Sequence, residues 1–133
     1  MYVNQTWGHR IRLANGVAVA RLDDPDWDTI ERSIRELDGS TAISLELFHV
    51  TPEFAGQALG EDIYDLLPYM GITGGHLGRC SLRVSRPDAP TALLMSTPPA
   101  KDATLADVIE AARSFALFGM LNGDLQWELI EVE

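Results

Sequence analysis

The run Asp24-Pro25-Asp26-Trp27-Asp28-Thr29-Ile30-Glu31-Arg32-Ser33-Ile34-Arg35-Glu36-Leu37-Asp38-Gly39 sets the fold. Asp24 can accept the unpaired N–H groups of a helix start as N-cap, and Pro25 suits the first helical position, where its missing N–H costs nothing. Asp26 and Asp28 then lie in the first turn, where the helix dipole favours anions. Trp27, Ile30, Ile34 and Leu37 recur at helical spacing as one apolar stripe, and Asp38-Gly39 ends the helix with a residue free to turn left-handed. A helix with a single apolar stripe must bury it against something. The rest of the chain supplies strands.

Immediately after it, Thr41 to Val50 alternates, with Ile43, Leu45 and Leu47 on one face and Ser44, Glu46 and Phe48 on the other. Before it, His9 to Leu13 and Val17 to Arg21 read as strands joined at Ala14-Asn15-Gly16, where Asn-Gly suits a tight type I′ turn. From Thr51 to Pro68 the pattern loosens. A helix between Leu59 and Leu67 is held to two turns by Gly56, Gly60 and Pro68, and the segment reads as a long, partly exposed connection. Tyr69–Thr73, Arg79–Arg86 and Thr91–Ser96 read as an antiparallel meander, linked by a glycine-rich turn (Gly74, Gly75, Gly78) and by Pro87-Asp88-Ala89-Pro90. In the second strand Cys80, Leu82 and Val84 form the inward row. Thr97-Pro98-Pro99-Ala100 breaks the pattern, and Thr104 with Asp107 opens a second helix as a capping box. Its apolar face is Leu105, Val108, Ile109, Ala112, Phe115, Ala116 and Gly119, and Asn122-Gly123 is the stop signal. Leu125 to Val132 closes as a strand with Trp127 inward. The expected fold is α+β over residues 1–133: a single domain with one antiparallel sheet of about six to seven strands and two main helices packed on one face.

A chain of 133 residues with 46% apolar content can bury one core. Nothing approaches the ~20 consecutive apolar residues of a membrane-spanning helix, and the first residues lack a cationic-then-apolar leader, so a cytoplasmic protein is expected. Cys80 is the single cysteine, which leaves the fold to its core rather than to disulfides. Charge is uneven. Residues 23–65 hold twelve of the twenty acids and two of the ten bases, a net of −10 that equals the charge of the whole chain. Such a field disfavours nucleic acid and anionic membrane and suits a cationic partner.

Catalytic and metal patterns largely fail. Asp24, Asp26 and Asp28 alternate as an EF-hand loop begins, but its sixth position is Thr29 and its twelfth is Arg35, which excludes calcium there. Gly71 to Arg79 is glycine-rich yet leads into a strand, whereas phosphate loops use the N–H groups of a following helix. His9, His49 and His76 show no ligand spacing with one another. A Cys80–His76 pair with a carboxylate would have to meet in space, and Cys80 sits in the apolar row. Carboxylate pairs such as Glu61/Asp62 are expected by chance in so acidic a chain. The aromatic residues Trp7, Trp27, Trp127, Phe115 and Phe118 read as core.

Pro25-Asp26-Trp27-Asp28-x-Ile30-Glu31-x-x-Ile34-x-x-Leu37-Asp38-Gly39, followed by Ile43-Ser44-Leu45-Glu46-Leu47, resembles the small immunity proteins of bacterial polymorphic-toxin and contact-dependent growth inhibition systems. The turn and strand Gly74-Gly75-His76-Leu77-Gly78-Arg79-Cys80-Ser81-Leu82 and the tail from Asp107-Val108 through Phe115, Phe118, Leu121 and Gly123 to Trp127 are similar to later segments of such proteins. The segment from Thr51 to Pro68 matches nothing in them. The resemblance implies a protein with no catalytic site, cofactor or metal that binds and neutralises a cognate toxin domain, often a cationic nuclease. It implies a monomer or weak homodimer. The expected partner-binding carboxylates are Asp23, Asp24, Asp26, Asp28, Glu53, Glu61, Asp62 and Asp65. The alternatives are a small-molecule or peptide-binding module with 51–68 as a lid, and a small enzyme around His76 and Cys80.

Overall fold

The structure, a computed structural model, describes residues 1–12, 16–54, 63–74, 79–87, 93–96, 103–121 and 128–129. Its elements in chain order are β1 (Gln5–Arg12), β2 (Gly16–Asp23), α1 (Trp27–Arg35), β3 (Ala42–Phe48), α2 (Ile63–Leu66), β4 (Tyr69–Gly74), β5 (Arg79–Arg86), β6 (Leu93–Ser96), β7 (Ala103–Thr104), α3 (Leu105–Phe118) and β8 (Glu128–Leu129). All strands join one antiparallel sheet in the order β2-β1-β3-β4-β5-β6-β8, with β7 beside β5. The α+β class and single antiparallel sheet hold. The expected six to seven strands are corrected: β1 to β5 are the five of full length, and β6, β7 and β8 are fragments of four, two and two residues.

Alternation along the strands gives the sheet two different faces. On one, Leu45 and Leu47 of β3, Met70 and Ile72 of β4, and Cys80, Leu82 and Val84 of β5 meet both main helices. Ile30 and Ile34 come from α1, and Val108, Ala111, Ala112, Phe115 and Ala116 from α3. The small residues of α3 let its axis approach the sheet, and Phe115 fills the space beside them. Tyr2 packs edge-on against Phe115 at 5.5 Å between centroids. The first residues are tied to the end of the same helix: Tyr2 and Val3 donate backbone hydrogen bonds to the carbonyls of Leu117 and Ala116 (3.3 and 2.9 Å). On the opposite face lies a smaller cluster of Trp7, Phe48, Leu67 and Tyr69, with Val50, Phe54 and Tyr64 packed against it.

Local chemistry sets the boundaries, sometimes one signal away from the expected one. The N-cap of α1 is Asp26, whose side chain accepts from the Thr29 N–H (2.8 Å), rather than Asp24, which instead takes the left-handed region at φ 46°. Asp tolerates that region because its short polar side chain can bond locally. Asp38 Oδ1 gathers the N–H groups of Ser40, Thr41 and Ala42 at 2.7–3.0 Å and so turns the chain from α1 into β3. Thr104 caps α3 by accepting from the Asp107 N–H. That helix stops at Gly119 (φ 68°), before the expected Asn122-Gly123, which lies outside the described residues. Gly119 is thus a cap and not part of the apolar face, and Phe118 is 70% exposed rather than core. In the first hairpin Arg12 pairs with Gly16. Gly16 has φ 82°, and residues 13–15, with the rest of the expected Asn-Gly turn, lie outside the described residues. The glycine turn at 75–78, the turn at 88–90, the break at 97–100 and Trp127 with most of the expected last strand also lie outside.

Candidate functional site

The acidic residues expected to face a partner come from two stretches of sequence, and Asn4 ties the backbone of one to that of the other. Its carbonyl accepts from Asp24 N–H (2.8 Å), its side-chain amide donates to the Val50 carbonyl (2.9 Å), and its side-chain oxygen accepts from the Val50 N–H (2.7 Å). The end of β2 is thus joined to the turn after β3, where Phe54 N–H bonds the Thr51 carbonyl. Asp23, Asp24, Asp26, Asp28 and Glu53 are all exposed. Two of them also have internal work: Asp26 is the helix cap, and Asp23 accepts from Gln5 Nε2 at 2.7 Å. Hydrogen bonds from Thr29 hold the Asp26 carboxyl below the usual carboxylate range, so it stays charged at neutral pH. Asp65 lies in the single turn of α2, and Glu61 and Asp62 lie outside the described residues.

A second polar constellation went unnoticed in the sequence. Glu46 of β3 is 8% exposed, on the face away from α1 and α3. Its Oε1 accepts from His9 Nε2 (2.7 Å) and from the Tyr64 hydroxyl (2.6 Å). Its Oε2 is buried without a hydrogen-bond partner among the described residues. Trp7, the cross-strand neighbour of Glu46, carries the Arg21 guanidinium 4.1 Å above its ring. The rings of Trp7, Phe48, Tyr64 and Tyr69 contact one another at 5.3–6.2 Å between centroids, so they form packed core with no cage left open. The signal was present in the row Ser44, Glu46, Phe48: a phenylalanine alternating with an acid marks a face that is also covered.

The remaining candidates are structural. Cys80 is buried in the helix-side core. His49 stacks on Tyr2 at 4.1 Å and donates Nδ1–H to its carbonyl (2.6 Å). His76 lies outside the described residues. No group of three or more His, Cys, Asp or Glu suited to a metal occurs among the described residues. A cleft of about 260 Å³ opens between α1 and the β1–β2 hairpin, with Gly8, Ala20, Leu22, Leu37 and Leu45 in its walls and the Arg10–Glu36 ion pair (2.7 Å) at its rim. It lies on the helix side, whereas Phe54, Tyr64 and Leu67 of the 51–68 connection pack on the opposite face. Among the described residues no helix is long and apolar enough to cross a membrane.

No protein-family model matches the chain, no curated protein matches its sequence, and no solved structure matches its fold.

Proposed function

We propose that this chain acts by binding: it captures a cationic protein domain through its exposed acidic residues and neutralises it, in the manner of the cytoplasmic immunity proteins that its sequence resembles. The observation that supports this reading is that Asn4 hydrogen-bonds both Asp24 and Val50, and so ties together the two stretches that carry the exposed Asp23, Asp24, Asp26, Asp28 and Glu53. Grouped carboxylates can mimic the phosphates that a nuclease surface is built to hold, and they steer such a partner in by long-range attraction. A binding role without catalysis also suits a structure whose Cys80 is buried and whose His9 and His49 are engaged in packing and hydrogen bonds.

The test is co-purification with the C-terminal domain of a large secreted protein encoded beside this one, at low salt and at about 0.5 M, where screening shortens the reach of charge to a few ångströms. A complex whose association slows with salt supports the reading; no complex at either salt overturns it. Asp28→Lys, at an exposed position, should slow association while the fold is kept. Asp26 should be left intact, since it caps α1.

The second reading, a small-molecule module, is favoured only by the helix-side cleft. Ala20→Trp would fill that cleft and abolish ligand binding there, with no effect on a partner held by the acidic residues.

A further inference from the structure

β2 ends the sheet, and it does so with its backbone exposed. Its eight residues pair with β1 in unbroken register, from Gln5 opposite Asp23 to Arg12 opposite Gly16, and among the described residues no strand adjoins its other side. The Asp24 N–H bonds the Asn4 carbonyl, so even-numbered positions of β2 face β1. By the two-residue period of an antiparallel ladder, the N–H and C=O groups of Val17, Val19 and Arg21 point away from the sheet. Such a row is a template on which a second extended strand can pair.

Natural edges are usually blunted by lysine, proline or a bulge. Gly16-Val17-Ala18-Val19-Ala20-Arg21-Leu22 has none of these. Val17 and Val19 are 54% and 45% exposed, and Ile11, opposite Val17, is 47% exposed on the same face. Charge then selects the occupant. The first 22 residues contain no acid although the chain carries −10, so two copies that meet along β2 approach through a stretch free of acid–acid repulsion.

We propose that β2 pairs with β2 of a second copy, antiparallel, about a two-fold axis at Val19. In that register Val19 meets Val19 of the other copy, Ala18 meets Ala20, Val17 meets the aliphatic stem of Arg21, and Gly16 meets Leu22. The whole acid-free run overlaps itself, and Asp23 and Asp24 fall just beyond it. The contact uses the same strand from both copies, so it closes at two. This dimer does not depend on the toxin-neutralising reading and leaves the acidic residues free in both copies.

The test uses the full chain without any partner. Sedimentation from micromolar to millimolar protein should show a monomer–dimer equilibrium. Val19→Lys, at an exposed position, should weaken it at least tenfold while the far-ultraviolet spectrum and melting stay as in the parent. With a short thiol-to-thiol linker, Val19→Cys should cross-link to itself efficiently and Val17→Cys poorly. Raising protein concentration should slow amide exchange at Val17, Val19 and Arg21, while Ala18 and Ala20, which already face β1, stay constant. A monomer throughout, a dimer indifferent to Val19→Lys, or equal cross-linking at both positions overturns the proposal.

Discussion

The Tyr64 hydroxyl donates to Glu46 Oε1 across 2.6 Å, so a side chain from a helix of four residues holds a buried carboxylate of the sheet. His9 Nε2 shares the same oxygen from β1. The long connection between β3 and β4 is thereby seated on the sheet by a polar contact as well as by Phe54 and Leu67.

Tyr64→Phe keeps the ring in its aromatic cluster and deletes the hydroxyl that donates to Glu46. A net hydrogen bond is worth about 1 kcal/mol, and more where a charged acceptor loses one of few partners. Urea unfolding should show stability lowered by that amount, through a lower midpoint at an unchanged slope. Amide exchange should quicken across α2 and leave α3 alone.

Two aspartates link stability to acidity. Hydrogen bonds from Thr29 hold Asp26, and those from Ser40, Thr41 and Ala42 hold Asp38, below the ordinary carboxyl value of 3.8. A carboxyl whose folded value is depressed contributes stability above its unfolded value and loses it as pH falls through the lowered one. The melting temperature of the parent should therefore fall below about pH 4, and Asp38→Asn should melt lower than the parent at pH 7. The gap between the two should narrow as the solution is acidified. A gap that widens in acid contradicts the assignment.

Gly74 and Gly119 are required by space. A Cβ on Gly74 would sit 3.0 Å from the Gly39 nitrogen, where backbone must yield. On Gly119 it would meet Tyr2 at 2.9 Å in a residue already at φ 68°. Gly119→Ala should cost roughly 1–2 kcal/mol, the scale of a left-handed non-glycine residue, and Gly74→Ala should also lower the melting temperature through the crowding at Gly39. Gly119→Ala should also disturb the stacking of Tyr2 on His49.

Phe115 is fully buried between the helix-side core and the Tyr2 ring. Phe115→Ala should cost about 3–5 kcal/mol, enough to unfold a marginal domain, whereas Ile34→Val in α1 should cost about 1 kcal/mol. Phe118→Ala, at the exposed end of the same helix, should change stability little, despite its place in the aromatic pattern.

These contrasts show what was legible in the residues. Elements with a strong period and a chemical cap were read well: the stripe of Ile30 and Ile34, the row Cys80-Leu82-Val84, and Thr104 with Asp107. Boundaries failed where two adjacent residues could do the same job, as with Asp24 and Asp26, because only the backbone angle chooses between them. β1 began four residues before the expected start, since Gln5-Thr6-Trp7-Gly8 has little strand signal of its own and is held by partners on both sides. The link between the two acidic stretches needed Asn4, a residue whose importance comes from bonds to positions 24 and 50 that spacing cannot reveal. The Glu46 constellation joins residues 9, 46 and 64, and its Tyr64 arm sits in the segment with the weakest pattern.

The hydrogen bonds from Tyr2 and Val3 to the last turn of α3 carry a consequence for biosynthesis. The ribosome releases the chain from its N-terminus, so β1 and β2 can form a hairpin early. Val3, however, packs in a cluster whose other members reach to Ala116. That core cannot close until α3 has left the exit tunnel, and until then the helix-side face of β1 and β3 stays open to water. Closure of this core therefore waits on the synthesis of α3, with Val3 among the last of its members to find a place.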